Sequence, residues 1–208
     1  MPKTPTGILY IIAAPSGAGK TSLVKALIEN INNLAVSVSH TTRVQRSGEE
    51  HGKHYYFVSE QAFVDMIYNG EFLEYARVYD YYYGTSKESV LQLLATGTDV
   101  ILEIDWQGAA QIRRLFPAAI SIFILPPSRD TLKNRLQERA QDPEKIINKR
   151  MAKAAEEISH YAEFDFLVVN DDFNKALADL QAIIYCQRLK TDRQASLHTQ
   201  LLTHLLEG

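Results

Sequence analysis

Residues 8–21 read Ile-Leu-Tyr-Ile-Ile-Ala-Ala-Pro-Ser-Gly-Ala-Gly-Lys-Thr, an apolar run that passes directly into a glycine-rich turn. The residues that follow, 21–31, carry leucine, valine and isoleucine side chains at helical spacing. A buried strand that turns into an amphipathic helix directs several backbone N–H groups, and the positive end of the helix dipole, at one point. The pattern therefore predicts an anion-binding turn of the kind that holds nucleotide phosphates.

The turn, called the phosphate loop below, contains both main-chain and side-chain groups that would bind phosphate. Two glycines allow positive φ and a close approach of the backbone to phosphate oxygens. Lys20 would reach the β- and γ-phosphates, and the Thr21 hydroxyl would face Mg²⁺. The first position of the motif is usually glycine and is alanine here. The predicted loop comprises Ala14, Pro15, Ser16, Gly17, Ala18, Gly19, Lys20 and Thr21.

Strand-like and helix-like segments alternate along most of the chain. Besides the opening run, β-rich apolar stretches occur at residues 34–39, 72–78, 100–104, 120–125 and 166–169. Helical spacing occurs at residues 21–31, 107–115, 130–139, 143–161 and 174–188. The alternation predicts an α/β fold in which a parallel sheet carries helices on both faces. Residues 40–83, rich in tyrosine, glycine and charge, interrupt it and predict an inserted β-rich subdomain with one short helix at residues 60–68.

Composition limits the kind of partner that the chain can have. The 208 residues are 46% hydrophobic and 23% charged, with a net charge of −3, so a strongly basic nucleic-acid binder is not expected. The longest apolar runs fall far short of the roughly 18 residues of a membrane span. The single cysteine, Cys186, cannot form an internal disulfide. With no secretory signal pattern at the start, we expect a cytoplasmic protein with no membrane or nucleic-acid partner.

Two charged features are open to more than one interpretation. Glu103 and Asp105 end a buried strand on the same side of its pleat, where α/β proteins bind ligands, and Asp105 is either a Mg²⁺ ligand or a salt-bridge partner in the sheet. Residues 133–150 carry six cations against three acids. Arg135 and Arg139 share a helix face at this spacing, so the segment is either a cationic lid or an ordinary solvated surface.

The motifs of this chain follow one another in a specific order. After the phosphate loop come Thr-Thr-Arg at 41–43, Arg-Ser-Gly-Glu at 46–49, Gly-Lys at 52–53, Tyr at 55, Glu-Phe-Leu-Glu at 71–74, Tyr-Tyr-Gly-Thr at 82–85, Ile-Asp-Trp-Gln-Gly at 104–108, Lys-Arg at 149–150 and Val-Asn-Asp-Asp at 169–172. Each motif alone is modest, but the set resembles the guanylate kinases, the bacterial members in particular. The resemblance extends from about residue 7 to about residue 188.

The resemblance implies a domain organisation. It comprises a P-loop kinase core at residues 7–38, 86–131 and 151–188, an inserted β-rich GMP-binding subdomain at 39–85 and a helical lid at 132–150. Residues 189–208 form an amphipathic tail beyond the resemblance, with Leu197, Leu201, Leu202 and Leu205 on one side. This apolar side fits either the tail's own domain or a second subunit in a homo-oligomer, and the pattern leaves both open.

The resemblance also implies an activity, the reversible transfer of a phosphoryl group from MgATP to GMP. The products are ADP and GDP, and the role is GMP recycling in purine nucleotide metabolism. The implied GMP site consists of Ser39, Arg43, Arg46, Tyr55, Glu74, Tyr83, Thr85 and Asp105. The implied catalytic cations are Lys20, Arg43, Arg135, Arg139 and Arg150; Asn170 joins the phosphate loop in binding ATP, and Thr21 and Asp105 face Mg²⁺.

Three other functions remain open at this point. Another nucleoside monophosphate kinase would differ at the base site, where Glu74 and Thr85 are expected to select guanine. A guanylate kinase-like scaffold module would bind protein partners without catalysis, although such modules typically lack the functional phosphate loop that this chain retains. A nucleotide-gated regulator would leave the second phosphate site unexplained.

Overall fold

Two β-sheets organise the chain, which the computed structural model describes at residues 6–78, 80–140 and 144–207, apart from the side chains of residues 138–140, 144–146, 148 and 149. The larger sheet has five parallel strands in the order β2-β7-β1-β8-β9. Its strands are β1 (Leu9–Ala13), β2 (Leu34–Val36), β7 (Asp99–Glu103), β8 (Ile120–Leu125) and β9 (Phe166–Val169). The parallel sheet that the alternation predicts is thus confirmed.

Helices cover both faces of this sheet because alternate residues of β1 enter different cores. Tyr10 and Ile12 pack with α1 (Lys20–Asn30) and α7 (Phe173–Arg188). Leu9 and Ile11 pack on the opposite side with α3 (Lys87–Ala95) and α4 (Trp106–Leu115). All five β1 residues are buried, which explains why this strand is a continuous apolar run rather than an alternating one.

The smaller sheet lies within the predicted insertion and has the order β4-β3-β6-β5. Its strands are β3 (His40–Thr41), β4 (Tyr56–Phe57), β5 (Phe72–Val78) and β6 (Tyr81–Ser86). Helix α2 (Glu60–Tyr68) coincides with the predicted short helix; the Ser59 hydroxyl caps it by accepting a hydrogen bond from the Ala62 N–H. Phe63 of α2 stacks on Phe72 and Tyr82, which fixes the helix against the sheet. The division of the chain into core, insertion and lid stays a prediction.

Helix α3 has no counterpart among the predicted helices. It begins directly after β6, and the Ser86 side chain accepts a hydrogen bond from the Ser89 N–H as its N-cap. No glycine or proline separates the strand from the helix there, so the sequence contains no turn signal between them. Its buried residues, Val90 and Leu94, are four apart and match one helical turn.

Two long helices occupy the predicted lid and its return to the core. They are α5 (Arg129–Ala140) and α6 (Glu144–Ser159), and they pack together through Leu132, Leu136 and Ala154. Both leucines also reach Gly17, where an added Cβ would lie only 3.1–3.2 Å from their side-chain carbons. The described parts of the charged segment, up to residue 140 and from residue 144, are therefore helical, and α5 sits directly on the phosphate loop.

The tail forms α8 (Thr191–Leu197) and α9 (Thr199–Leu206). Its start is fixed to the core because Arg193 joins Arg188 in binding the carboxylate of Asp99, which is 1% exposed, at N–O distances of 3.2 and 2.7 Å. The leucines of its apolar side, Leu197, Leu201, Leu202 and Leu205, are exposed.

Within the described ranges, no helix has the length and apolar character needed to cross a bilayer.

Candidate functional site

The phosphate loop joins the end of β1 to the start of α1. Gly17 and Gly19 have φ values of 90° and 93°, the left-handed backbone that glycine adopts without strain. Space as well as φ requires glycine at position 19, because an added Cβ would lie 2.4 Å from Nδ2 of Asn170. This backbone places the N-terminus of an eleven-residue helix directly behind the loop, the arrangement that binds phosphate.

The two polar residues that follow the loop glycines reach toward the carboxyl end of β7. Lys20 Nζ donates a hydrogen bond to the Ile104 carbonyl at 3.2 Å, and the Thr21 hydroxyl donates one to Glu103 Oε2 at 3.2 Å. The contact follows from the sheet register, in which Ile12 pairs with Glu103. Glu103, whose role was open from the sequence, is thus the carboxylate beside Thr21.

A cavity of about 280 Å³, called the acceptor cavity below, lies between the phosphate loop and the smaller sheet. Five predicted GMP-site residues line it: Ser39, Tyr55, Glu74, Tyr83 and Asp105. Loop residues from Ala14 to Gly17 and from Gly19 to Thr21 form its opposite wall. Among the described residues that line it, four acids face one lysine; the acids are Glu74, Glu103, Asp105 and Glu157. So acidic a wall around a phosphate-binding loop needs added positive charge before it can bind anions.

Glu74 is held as a buried hydrogen-bond acceptor. The Thr85 hydroxyl donates to its Oε1 at 2.5 Å, and the residue is 4% exposed. Burial raises the pKa of Glu74 to about 7, and the nearby charge of Asp105 adds to this shift while the Thr85 hydrogen bonds oppose it. A Cβ at position 108 would come within 2.6 Å of Glu74 Oε2, so Gly108 makes room for the carboxylate.

Asp105 has a defined role in local structure. Its Oδ1 accepts a hydrogen bond from the Gly108 N–H at 2.9 Å and so caps the N-terminus of α4. The cap fixes Asp105 at the edge of the acceptor cavity. Because only one oxygen makes this short contact, Oδ2 is available for a further partner beyond its 3.5 Å contact with Gln107.

Arg43 is buried on the insertion side and paired with a carboxylate. Its Nη2 donates to Glu49 Oε1 at 2.7 Å, and its guanidinium lies 5.5 Å from the ring centre of Tyr55. Burial alone would lower the pKa of Arg43, but the hydrogen bond and charge of Glu49, together with Tyr83, more than offset it, so the pKa is raised above its usual value. The same contact lowers the pKa of Glu49. Arg46 contributes its backbone N–H to Glu49 at 2.8 Å, while the residue as a whole is exposed.

A second cavity of about 420 Å³, called the donor cavity below, lies on the other side of the phosphate loop. It is lined by Gly17, Gly19, Ser22, Arg135, Asn170, Asp171 and Phe173. Asn170 Nδ2 donates to the Ala18 carbonyl at 2.7 Å, and Arg135 Nη2 donates to the Asn170 carbonyl at 3.3 Å. Helix α5, β9 and the loop therefore meet at this cavity, which brings together two of the predicted residues, Arg135 and Asn170.

The remaining predicted cations lie on α5 and α6. Arg150 is half-buried in α6. Arg139 belongs to α5, but its side chain lies outside the described residues. Residues that the sequence did not single out include Glu157 and Phe173, which line the acceptor and donor cavities, and Glu49, which pairs with Arg43. Residue spacing gives a signal only for Glu157, which follows Arg150 by two helical turns.

Comparison with known proteins agrees with this architecture. The family model described as guanylate kinase matches residues 6–187. Guanylate kinase of Methylococcus capsulatus is 60% identical over 200 residues, which cover 96% of this chain and 98% of the relative; that of Saccharophagus degradans is 56% identical over 203 residues, covering 98% and 99%. The crystal structure of guanylate kinase from Anaplasma phagocytophilum superposes with a TM-score of 0.77 at 32% identity, covering 91% of this chain and 90% of that one. The chain belongs to the guanylate kinase family of nucleoside monophosphate kinases.

Proposed function

We propose that this protein transfers the γ-phosphoryl group of MgATP to GMP, giving ADP and GDP. The observation that carries the proposal is that Gly17 and Gly19 of the phosphate loop line both the donor and the acceptor cavity. A nucleotide on each side would therefore bring its phosphates to the same loop. Family membership supports the same reaction.

Glu74 would select the base. Guanine presents N1–H and its 2-amino group side by side, so one carboxylate accepts both hydrogen bonds. Adenine has an acceptor at N1, and its lone pair would face the carboxylate without a proton between them. Because Glu74 is buried, such a mismatch leaves polar groups unpaired at a high cost. Thr85 fixes the carboxylate through its hydrogen bond, and Asp105 lies at the same wall.

Arg43 would bind the phosphate of GMP, together with the hydroxyl groups of Ser39, Tyr55 and Tyr83. A guanidinium suits phosphate because it can donate two parallel hydrogen bonds. In the structure Glu49 accepts from this guanidinium, so the phosphate would bind beside Glu49 or in exchange for it. Arg46 would join only by turning its side chain from the surface.

The residues at the end of β7 fit a magnesium ion. Mg²⁺ prefers oxygen ligands and usually shares one or two carboxylates with substrate phosphates. The Thr21 hydroxyl, Glu103 and the second oxygen of Asp105 supply such oxygens beside the loop. No group of three or more His, Cys, Asp or Glu in the described part of the chain could hold a metal by itself, which agrees with an ion that arrives with ATP. When bound, Mg²⁺ would neutralise phosphate charge in this acidic cleft.

Transfer needs no general base. The second pKa of a phosphate monoester is about 6, so the attacking oxygen of GMP is already largely deprotonated near neutral pH. Catalysis then consists of in-line positioning and charge neutralisation. Lys20 lies at the loop, Arg135 at the donor cavity and Arg150 on α6. Together with Arg139 they would stabilise the moving phosphoryl group, and closure of the lid would exclude water. This reaction would place the protein in GMP recycling in the cytoplasm.

An assay of ADP release with MgATP and a panel of acceptors tests the proposal. We expect turnover with GMP to exceed turnover with AMP, UMP and dTMP by several orders of magnitude. Equal turnover of AMP would contradict the base assignment and favour another nucleoside monophosphate kinase. Inactivity with every acceptor, together with retained binding of peptides, would favour the scaffold module.

A further inference from the structure

Glu157 lies against the phosphate loop in a position that the proposed reaction does not use. It is 9% exposed in α6 and lines the acceptor cavity. Its Oε2 accepts a hydrogen bond from the backbone N–H of Ser16 at 3.2 Å. A buried carboxylate thus binds an amide of the loop whose amides are expected to bind phosphate.

The position of Ser16 indicates which phosphate would compete for this amide. Ser16 is among the residues that line the acceptor cavity, whereas Gly17 and Gly19 line both cavities. The Ser16 amide therefore lies on the side of the loop that faces GMP. If the proposed function is correct, the terminal phosphate of ATP lies at the Ser16 amide when it is transferred to GMP. The two phosphates that remain in ADP lie nearer the donor cavity.

The charges around Glu157 make such competition costly. Burial raises its pKa, and the negative charge of Asp105 acts in the same direction. Lys153, one turn earlier on α6, and Lys20 of the loop oppose the shift, as does the Ser16 hydrogen bond. A terminal phosphate at the Ser16 amide would meet the carboxylate at close range in a poorly solvated cleft, where like charges repel strongly.

We propose that Glu157 is a positioning residue that competes with the terminal phosphate of ATP for the Ser16 amide. ATP displaces the carboxylate when it binds, whereas ADP leaves the contact in place. The carboxylate therefore lowers the affinity for the triphosphate relative to the diphosphate, which favours release of ATP over unproductive retention. The contact also joins the loop to α6, the helix that carries Arg150.

Calorimetric titration with Mg²⁺ and either ADP or a non-hydrolysable ATP analogue tests this proposal. E157Q keeps a hydrogen-bond acceptor and removes the charge; E156Q removes the charge of the neighbouring exposed glutamate and is the matched control. We expect E157Q to bind the triphosphate about threefold to tenfold more tightly than E156Q, with ADP affinity changed less than about twofold. A merely structural role for Glu157 would change both affinities alike. An unchanged ratio of the two affinities would overturn the proposal.

A second measurement on the unsubstituted protein guards against a folding defect in E157Q. The amide NMR signal of Ser16 should move when the ATP analogue binds and move much less with ADP. Equal movement with both nucleotides, or none with the analogue, would also overturn the proposal. The proposed function has a separate test, because its failure appears as absent turnover of GMP by the unsubstituted protein.

Discussion

The acceptor and donor cavities share two loop glycines but are built from different chemistry. The acceptor cavity is lined by buried carboxylates, of which Glu74 is 4% exposed and hydrogen-bonded to Thr85. At the donor cavity, the Asn170 amide and the Arg135 guanidinium donate to main-chain carbonyls, and the aromatic residue, Phe173, is 41% exposed. Buried polar groups discriminate between bases strongly, whereas exposed apolar surface discriminates weakly. We therefore expect the selectivity for the base to reside on the acceptor side.

Lys20 lines the acceptor cavity and directly follows Gly19, which lines both cavities, so its replacement should have the largest effect. K20A should lower kcat by about 10²- to 10³-fold, because a charge directed at the transferred group is lost from a site already rich in acids. Thermal unfolding should change little, since within the described residues the Lys20 ammonium donates a single hydrogen bond, to the Ile104 carbonyl. A kcat within a few-fold of that of the unsubstituted protein would show that Lys20 does not act on the group transferred between the two cavities.

The contrast between the two cavities holds only if Glu74 sets the selectivity for the base. E74A removes the acceptor for two guanine N–H groups, and we expect kcat/KM for GMP to fall about a hundredfold with kcat/KM for AMP nearly unchanged. E88A, at an exposed glutamate in the first turn of α3, is a suitable control. An unaltered ratio of GMP to AMP turnover would move the recognition of the base elsewhere.

The raised pKa of Glu74 should make base selection at the acceptor cavity depend on pH. Its raised pKa means that the folded protein favours the protonated form, so this group makes the protein less stable as pH rises from about 4.5 to about 7. Guanine binding by Glu74, as proposed, would require the ionised carboxylate and would have the opposite dependence. Affinity for guanosine, which has no phosphate to titrate, should rise about tenfold between pH 6 and pH 8. Affinity that is flat over this range would show that Glu74 is ionised throughout.

The donor cavity should give the smallest effect. F173A removes aromatic surface at the start of α7, and we expect KM for ATP to rise by about threefold while KM for GMP stays constant. The Asp172 side chain, which accepts a hydrogen bond from the Lys175 N–H, retains the helix cap in this variant. A hundredfold loss would mean that the donor side selects its nucleotide as strictly as the acceptor side.

The sequence predicted what periodicity and short motifs can encode. Residues 120–125 and 166–169 coincide with strands β8 and β9 because each is a short run, apolar except at Ser121, bounded by turns. The loop motif predicted the positive φ of Gly17 and Gly19, since backbone geometry depends on the local residue type. Helix α3 escaped prediction because it follows β6 without a break.

The contacts at the site depend on sheet order and could not be predicted from local patterns. The hydrogen bond between Thr21 and Glu103 exists because β1 and β7, ninety residues apart in the register, lie side by side. Glu157 reaches Ser16 across 141 residues of sequence. Arg43 and Arg46 look equivalent in sequence, yet only Arg43 is buried, since its position beside the aromatic rings of Tyr55 and Phe57 follows from how β3 and β4 pair.

Through Arg193, the tail supplies part of the positive charge that balances the buried Asp99 carboxylate of the core. Asp99 begins strand β7, which lies between β2 and β1, and Arg193, in the first turn of α8, supplies one of its two guanidinium partners. A chain shortened before α8 would leave this buried carboxylate with one guanidinium partner, Arg188, instead of two, at the start of the strand that ends in Glu103. Affinity handles are therefore better attached after α9 than used to replace the last two helices.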